Sequence, residues 1–178
     1  FLKTANKADP QAFFEVINDF YDAVKSFPKD REARTLLVDT FYGRGLWDKV
    51  IEESRYAVEV FGSNAQYFNL KLGQALVETG KLSEAVRPLM MSLDGDEDYS
   101  NDVIEDLDRI LKTDKANVPA HFARGRALSR AGRIDEAAIG VGHEGTGARQ
   151  EGVAVGVLDD KKAVTVDGKI GRRCRVLG

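Results

Sequence analysis

The sequence has few of the features that place a chain in several common classes of protein. Among its 178 residues there is one cysteine, Cys174, so no disulfide can form within the chain. No apolar run approaches the roughly 20 residues that a membrane-spanning helix needs, and we expect no insertion into a membrane. The formal net charge is only −3, so bulk charge gives no reason to expect binding to nucleic acid.

Residues that carry catalysis or bind metals are also scarce. The only two histidines, His121 and His143, have no nucleophile or matching ligand nearby in the sequence. The acidic stretch 94–98 lacks the alternating ligands and the closing glutamate of a calcium-binding loop. The pattern G-x-G-x-x-G at 140–145 lacks the preceding strand that a dinucleotide-binding loop requires. We therefore expect no enzyme activity, no cofactor and no bound metal.

Two stretches of the chain share one spacing of small residues. Four residues of the later stretch correspond to residues that stand 52 positions earlier: Gly125 to Gly73, Ala127 to Ala75, Gly132 to Gly80 and Ala137 to Ala85. Glycine inside a helix costs about 1 kcal/mol relative to alanine, so its repetition indicates a close approach of two helices. The second glycine of each stretch is placed to end a helix in a left-handed conformation. Ile134 and Leu82 then begin a second helix, and we expect both in the core.

This pattern resembles the tetratricopeptide repeat, whose unit is a pair of antiparallel helices about 34 residues long. The resemblance implies an all-α fold, an α-α superhelix of about three and a half helix pairs within residues 9–139. Residues 10–27 resemble the second helix of a unit, and residues 31–61 form a divergent unit in which Val38 replaces the first glycine. Gly80 and Gly132 are 52 residues apart, so we expect one inserted helix between units, at about 101–111.

Residues 140–178 have a different composition. They contain nine glycines, against eight in the preceding 139 residues, and helical spacing disappears. Two alternating apolar stretches, 153–157 and 163–166, favour a β-hairpin in an otherwise irregular tail. A last unit without a full second helix leaves Phe122, Leu128 and Ile134 partly bare, and either the tail or a second copy of the chain in a homodimer would cover them.

The resemblance also implies a function, because members of the family hold peptides against the concave wall formed by their first helices. Carried onto this chain, the inward positions of that groove are Thr35, Asp39, Tyr42, Leu70, Gln74, Val77, Phe122, Arg126 and Arg130. Family members that bind the acidic tails of chaperones need lysine and asparagine at these positions. This chain has Asp39 and Gln74 instead, so we do not expect an acidic chaperone tail as its ligand.

We therefore expect a non-enzymatic scaffold or adaptor that binds another protein or a peptide. The alternative is a regulatory or partner-binding domain from a larger enzyme or from a secretion or assembly machine. We expect a cytoplasmic protein, with the periplasm as the alternative because the sequence begins at Phe1 rather than at methionine.

Overall fold

The computed structural model describes residues 10–95, 98–139, 154–157 and 163–166. The chain divides into two compact units, Phe1–Tyr99 and Ser100–Gly178. Unit 1 contains five α-helices among its described residues: α1 (Pro10–Ser26), α2 (Arg31–Gly43), α3 (Trp47–Phe61), α4 (Gln66–Glu78) and α5 (Leu82–Met91). A short 3-10 turn, Gly62–Asn64, joins α3 to α4. Each helix packs against the next, as in a series of antiparallel pairs.

Local sequence signals explain where the first helix of a pair begins; these first helices are α2 and α4 in unit 1 and the helix that starts at Val118 in unit 2. The Asp30 side chain precedes α2 and accepts a hydrogen bond from the backbone N–H of Ala33 at 3.0 Å. Asn117 precedes the corresponding helix of unit 2, and its side chain accepts from the backbone N–H of Ala120 at 3.0 Å. Each cap satisfies one of the backbone donors that a helix N-terminus leaves without an intrahelical partner.

The ends of the first helices repeat one hydrogen-bonding pattern. The N–H of Gly80 donates to the carbonyl of Val77, and the N–H of the next residue donates to the carbonyl of Leu76. The same two bonds occur in unit 2. The N–H of Gly132 donates to the carbonyl of Ser129, and the N–H of Arg133 donates to the carbonyl of Leu128. Both glycines have positive φ, 74° and 72°, as this helix-ending motif requires. The helix-ending role predicted for them is confirmed.

The core of unit 1 lies between successive helices. It is built from apolar side chains that occur at helical spacing and are almost wholly inaccessible: Leu37, Val38, Phe41, Val50, Ala57, Phe68, Leu76 and Leu89. Phe61, which ends α3, stacks on Phe68 of α4 with ring centroids 5.3 Å apart. Burial of such side chains stabilises a fold by about 1.5–3 kcal/mol each, so this layer holds the helix pairs together.

Unit 2 contains α6 (Ser100–Thr113), α7 (Val118–Arg130) and α8 (Ile134–Ile139). Two short strands, β1 (Ala154–Val157) and β2 (Ala163–Val166), pair antiparallel with Val155 opposite Thr165. Strand β1 lies against α7 and α8. The inserted helix predicted at 101–111 is α6, and the predicted hairpin is β1–β2, so the all-α class with a β-like tail is confirmed. A single repeat domain over 9–139 and a separate tail from 140 stay predictions.

The last helix pair differs from its predicted form in three respects. A Cβ atom at Gly73 would lie 2.6 Å from the Leu89 side chain, as the close-approach argument requires, but nothing described lies within 4 Å of the same atom at Gly125. Ile134 exposes 58% of its surface, which disagrees with a place in the core and agrees with the expectation of a partly bare last unit, whereas Leu128, also predicted partly bare, is wholly buried. The described part of the last helix, α8, has six residues, whereas α5 continues to Leu89 and beyond.

Candidate protein-interaction surface

Two neighbouring first helices of unit 1, α2 and α4, present one continuous polar and aromatic surface. Thr35, Asp39 and Tyr42 recur at the spacing i, i+4, i+7 on α2, and Tyr67, Lys71 and Gln74 recur at the same spacing on α4. This spacing places each set on one side of its helix. We call these six residues the α2–α4 face. Each of them is exposed or half-buried, so their side chains are accessible to a partner.

A hydrogen bond joins the two helices across this face. The hydroxyl of Tyr67 on α4 donates to Oδ1 of Asp39 on α2. Burial of the Tyr67 ring raises the pKa of its hydroxyl well above the ordinary value, and the bond to the Asp39 carboxylate raises that pKa further. Tyr67 therefore stays a neutral donor over the physiological range and keeps the Asp39 carboxylate oriented.

The ammonium group of Lys71 is held by aromatic rings at the centre of the face. Its Nζ lies 3.9 Å from the centroid of the Tyr42 ring and 5.6 Å from that of Tyr67. The same Nζ lies 3.4 Å from Oε1 of Gln74. Tyr42 in turn packs edge-on against Trp47, with ring centroids 5.2 Å apart. Attraction between an ammonium and a ring face fixes the position of Lys71, so the surface is largely ordered before any ligand arrives.

The other two predicted groove residues of α4 occupy a different environment. Leu70 and Val77 expose only 4% and 6% of their surfaces and belong to the core. The side chains of α4 that are partly accessible on this face are instead Tyr67, Lys71 and Gln74. Sequence reasoning overlooked Tyr67 and Lys71, although their i, i+4 spacing, extended to Gln74, marks a stripe along one side of the helix.

Helix α7 of unit 2 carries the three remaining predicted groove residues. Phe122 exposes 48% of its surface, Arg126 is half-buried and Arg130 is exposed. Together with exposed Val118 they recur every four residues, so α7 presents a stripe that is apolar at its N-terminal end and basic at its C-terminal end. Whether all nine predicted residues act as one groove stays a prediction.

The described residues offer no arrangement typical of a metal centre. Within 10–95 and 98–139 there is no group of three or more His, Cys, Asp or Glu side chains placed to hold a metal ion. The ring Nε2 of His121 lies 2.9 Å from the carbonyl oxygen of Lys115. His143, Cys174 and the stretch 140–145 lie outside the described residues. No helix in the described part of the chain is long and apolar enough to cross a membrane.

Comparisons with known proteins add little to this description. No protein-family model matches the sequence, and no curated protein matches it. Among solved structures, a crystal structure of MamA is 19% identical over 70% of this chain and 82% of that chain, with a TM-score of 0.46. A second crystal structure of the MamA protein is 18% identical over 76% of this chain and 86% of that chain, also with a TM-score of 0.46.

Proposed function

We propose that this chain is a non-enzymatic scaffold or adaptor that binds a peptide or an extended protein segment on the exposed sides of its first helices. The observation that carries the proposal is the α2–α4 face. Two consecutive first helices there combine aromatic rings, a carboxylate, an ammonium and an amide on one accessible surface. Such a mixture of rings and hydrogen-bonding groups is typical of surfaces that recognise protein segments.

The order within the face supports the same proposal. Tyr67 is bonded to Asp39, and Lys71 is held over Tyr42 and beside Gln74, so these side chains have already lost much of their rotational freedom. Ordering a long side chain costs about 0.5–1.5 kcal/mol on binding, and a surface ordered beforehand avoids part of that cost.

The exposed stripe of α7 supplies a second contact surface in this proposal. Phe122 provides an apolar anchor, and Arg126 and Arg130 contact acidic groups of the partner. Charged contacts at the rim of an interface steer association more than they add affinity. The contribution of α7 should therefore depend strongly on salt, whereas the aromatic contacts of the α2–α4 face should not.

Site-specific photo-crosslinking tests the proposal. A photoreactive phenylalanine analogue placed at Gln74 should cross-link to a partner in cell extract, and mass spectrometry identifies the attached segment. The matched control carries the same analogue at Glu59, an exposed residue of α3 outside the face. The Lys71→Ala/Gln74→Ala variant should bind the identified partner at least about tenfold more weakly, whereas Lys81→Ala should bind normally. Equal cross-linking from both positions, or none from Gln74, would overturn the proposal.

A further inference from the structure

Asp39 is the carboxylate of the α2–α4 face, and its described contacts include a hydroxyl donor but no cation. Its side chain is exposed, and within the described residues its hydrogen-bonding partner is the Tyr67 hydroxyl. None of the ion pairs in the described part of the chain includes it, whereas Glu84, for example, pairs with Arg55 at 2.9 Å. A carboxylate accepts up to about four hydrogen bonds, so Asp39 retains acceptor capacity for a ligand.

The basic residue of the face is Lys71, and its ammonium group contacts other side chains of the face. The Lys71 ammonium lies over the Tyr42 ring at 3.9 Å and beside Gln74. The Tyr67 hydroxyl meanwhile fixes one carboxylate oxygen. The result is an oriented negative charge on an accessible surface, and a carboxylate so placed can accept charge-assisted hydrogen bonds from a guanidinium or ammonium group.

We infer that the partner of the α2–α4 face is a basic segment, and that it brings an arginine or lysine side chain to the Asp39 carboxylate. The inference rests on the proposed function, since it names the chemistry of the segment that the same face binds. In this arrangement Asp39 contacts the partner directly. Tyr67 is a positioning residue because it acts through the orientation of Asp39.

Selection from a random 12-residue peptide library displayed on phage tests the inference without a known partner. The bait is the immobilised full chain, in its wild-type form and as Asp39→Asn. Asparagine keeps an oxygen that can accept from Tyr67, removes the charge, and replaces the other carboxylate oxygen with an NH2 donor. Glu59→Gln on α3 is the matched control, since it also removes one exposed carboxylate. Circular dichroism and melting temperature show that the three proteins share one fold.

We expect wild type and Glu59→Gln to enrich peptides that carry arginine or lysine at one fixed position, and Asp39→Asn to lose that preference. A selected peptide should bind Asp39→Asn about fivefold more weakly, the order expected for one exposed charged contact. Replacing its arginine with citrulline, which is neutral and nearly the same shape, should weaken binding to wild type by the same factor. The same replacement should have no effect on binding to Asp39→Asn.

The outcomes separate this inference from the proposed function. If no peptide is enriched on any bait, the face does not bind peptides and both proposals are overturned. If peptides are enriched without a basic position, or if citrulline changes nothing, the face binds peptides and only the assignment of Asp39 is overturned. Enrichment of acidic peptides that is lost in Lys71→Ala would likewise overturn it, because Lys71 would then be the charged contact.

Discussion

Arg34 on α2 and Glu53 on α3 form a buried ion pair, with Nη1 of the arginine 2.6 Å from Oε2 of the glutamate. The two side chains expose only 6% and 9% of their surfaces. The Arg34 guanidinium also lies over the ring of Tyr56, 4.3 Å from its centroid. The divergent unit thus joins its two helices partly through a charged contact, whereas the following unit uses the fit of Gly73 against Leu89.

Removing one member of this pair should destabilise unit 1 strongly. Glu53→Ala leaves the Arg34 charge buried without a counter-ion, and we expect the free energy of unfolding to fall by about 3–5 kcal/mol. The exposed pair Lys49–Glu52, with Nζ 2.7 Å from Oε2, is the control, and Glu52→Ala should cost less than about 1 kcal/mol. Urea unfolding followed by circular dichroism measures both variants. If the two variants lose similar amounts of unfolding free energy, burial does not determine how much the Arg34–Glu53 pair contributes to stability.

The two equivalent glycines should respond oppositely to the same substitution. At Gly73 a new Cβ would lie 2.6 Å from Leu89 Cγ and 3.3 Å from its backbone nitrogen, so Gly73→Ala should cost about 1–3 kcal/mol through overpacking. At Gly125 nothing described lies within 4 Å of that atom, so Gly125→Ala should stabilise α7 by up to about 1 kcal/mol. Denaturant midpoints compare the pair. If Gly125→Ala lowers the free energy of unfolding as much as Gly73→Ala does, the space around Gly125 is not open.

The Tyr67 hydroxyl should make stability depend on pH above neutrality. Its pKa is raised above 10.0 in the folded protein, first by burial and then by the bond to Asp39. As the pH rises above 10, the unfolded chain therefore loses this proton while the folded chain retains it. The stabilising contribution is fully present below pH 10 and is lost as the pH rises towards the folded pKa. The unfolding free energy of wild type should fall more between pH 9 and 11 than that of Tyr67→Phe. Equal decreases in the two proteins would show that the Tyr67 hydroxyl does not contribute to the pH dependence.

Deleting residues 141–178 should affect unit 2 alone. The deletion removes β1, which lies against α7 and α8, and so uncovers the backbone of the last helix pair. We expect lower protection of amides in α7 against hydrogen exchange, or self-association of the truncated chain, while amides of α2–α5 exchange at unchanged rates. Sedimentation velocity measures the association. A truncated chain that stays monomeric with normal protection in α7 would show that the tail does not support this unit.

Much of the helical pattern follows from the order of residues alone. Apolar spacing, the caps Asp30 and Asn117, and the turn glycines Gly80 and Gly132 act within a few residues of each other, and the helices begin and end where these signals stand. The inserted helix and the hairpin were likewise predictable, because a period of 3.6 or 2 needs no distant partner to be recognised.

Contacts between helices were decided only by the tertiary structure. The sequence offers the same small residue at Gly73 and Gly125, but a Cβ at Gly73 would meet Leu89 of the next helix, whereas among the described residues nothing lies within 4 Å of a Cβ at Gly125. Lys71 and Tyr67 look like ordinary surface residues on α4. They contact Tyr42 and Asp39 only because α2 packs beside α4. Helical spacing determines which side of a helix a residue occupies, whereas the residue that it meets there depends on the packing of segments distant in the chain.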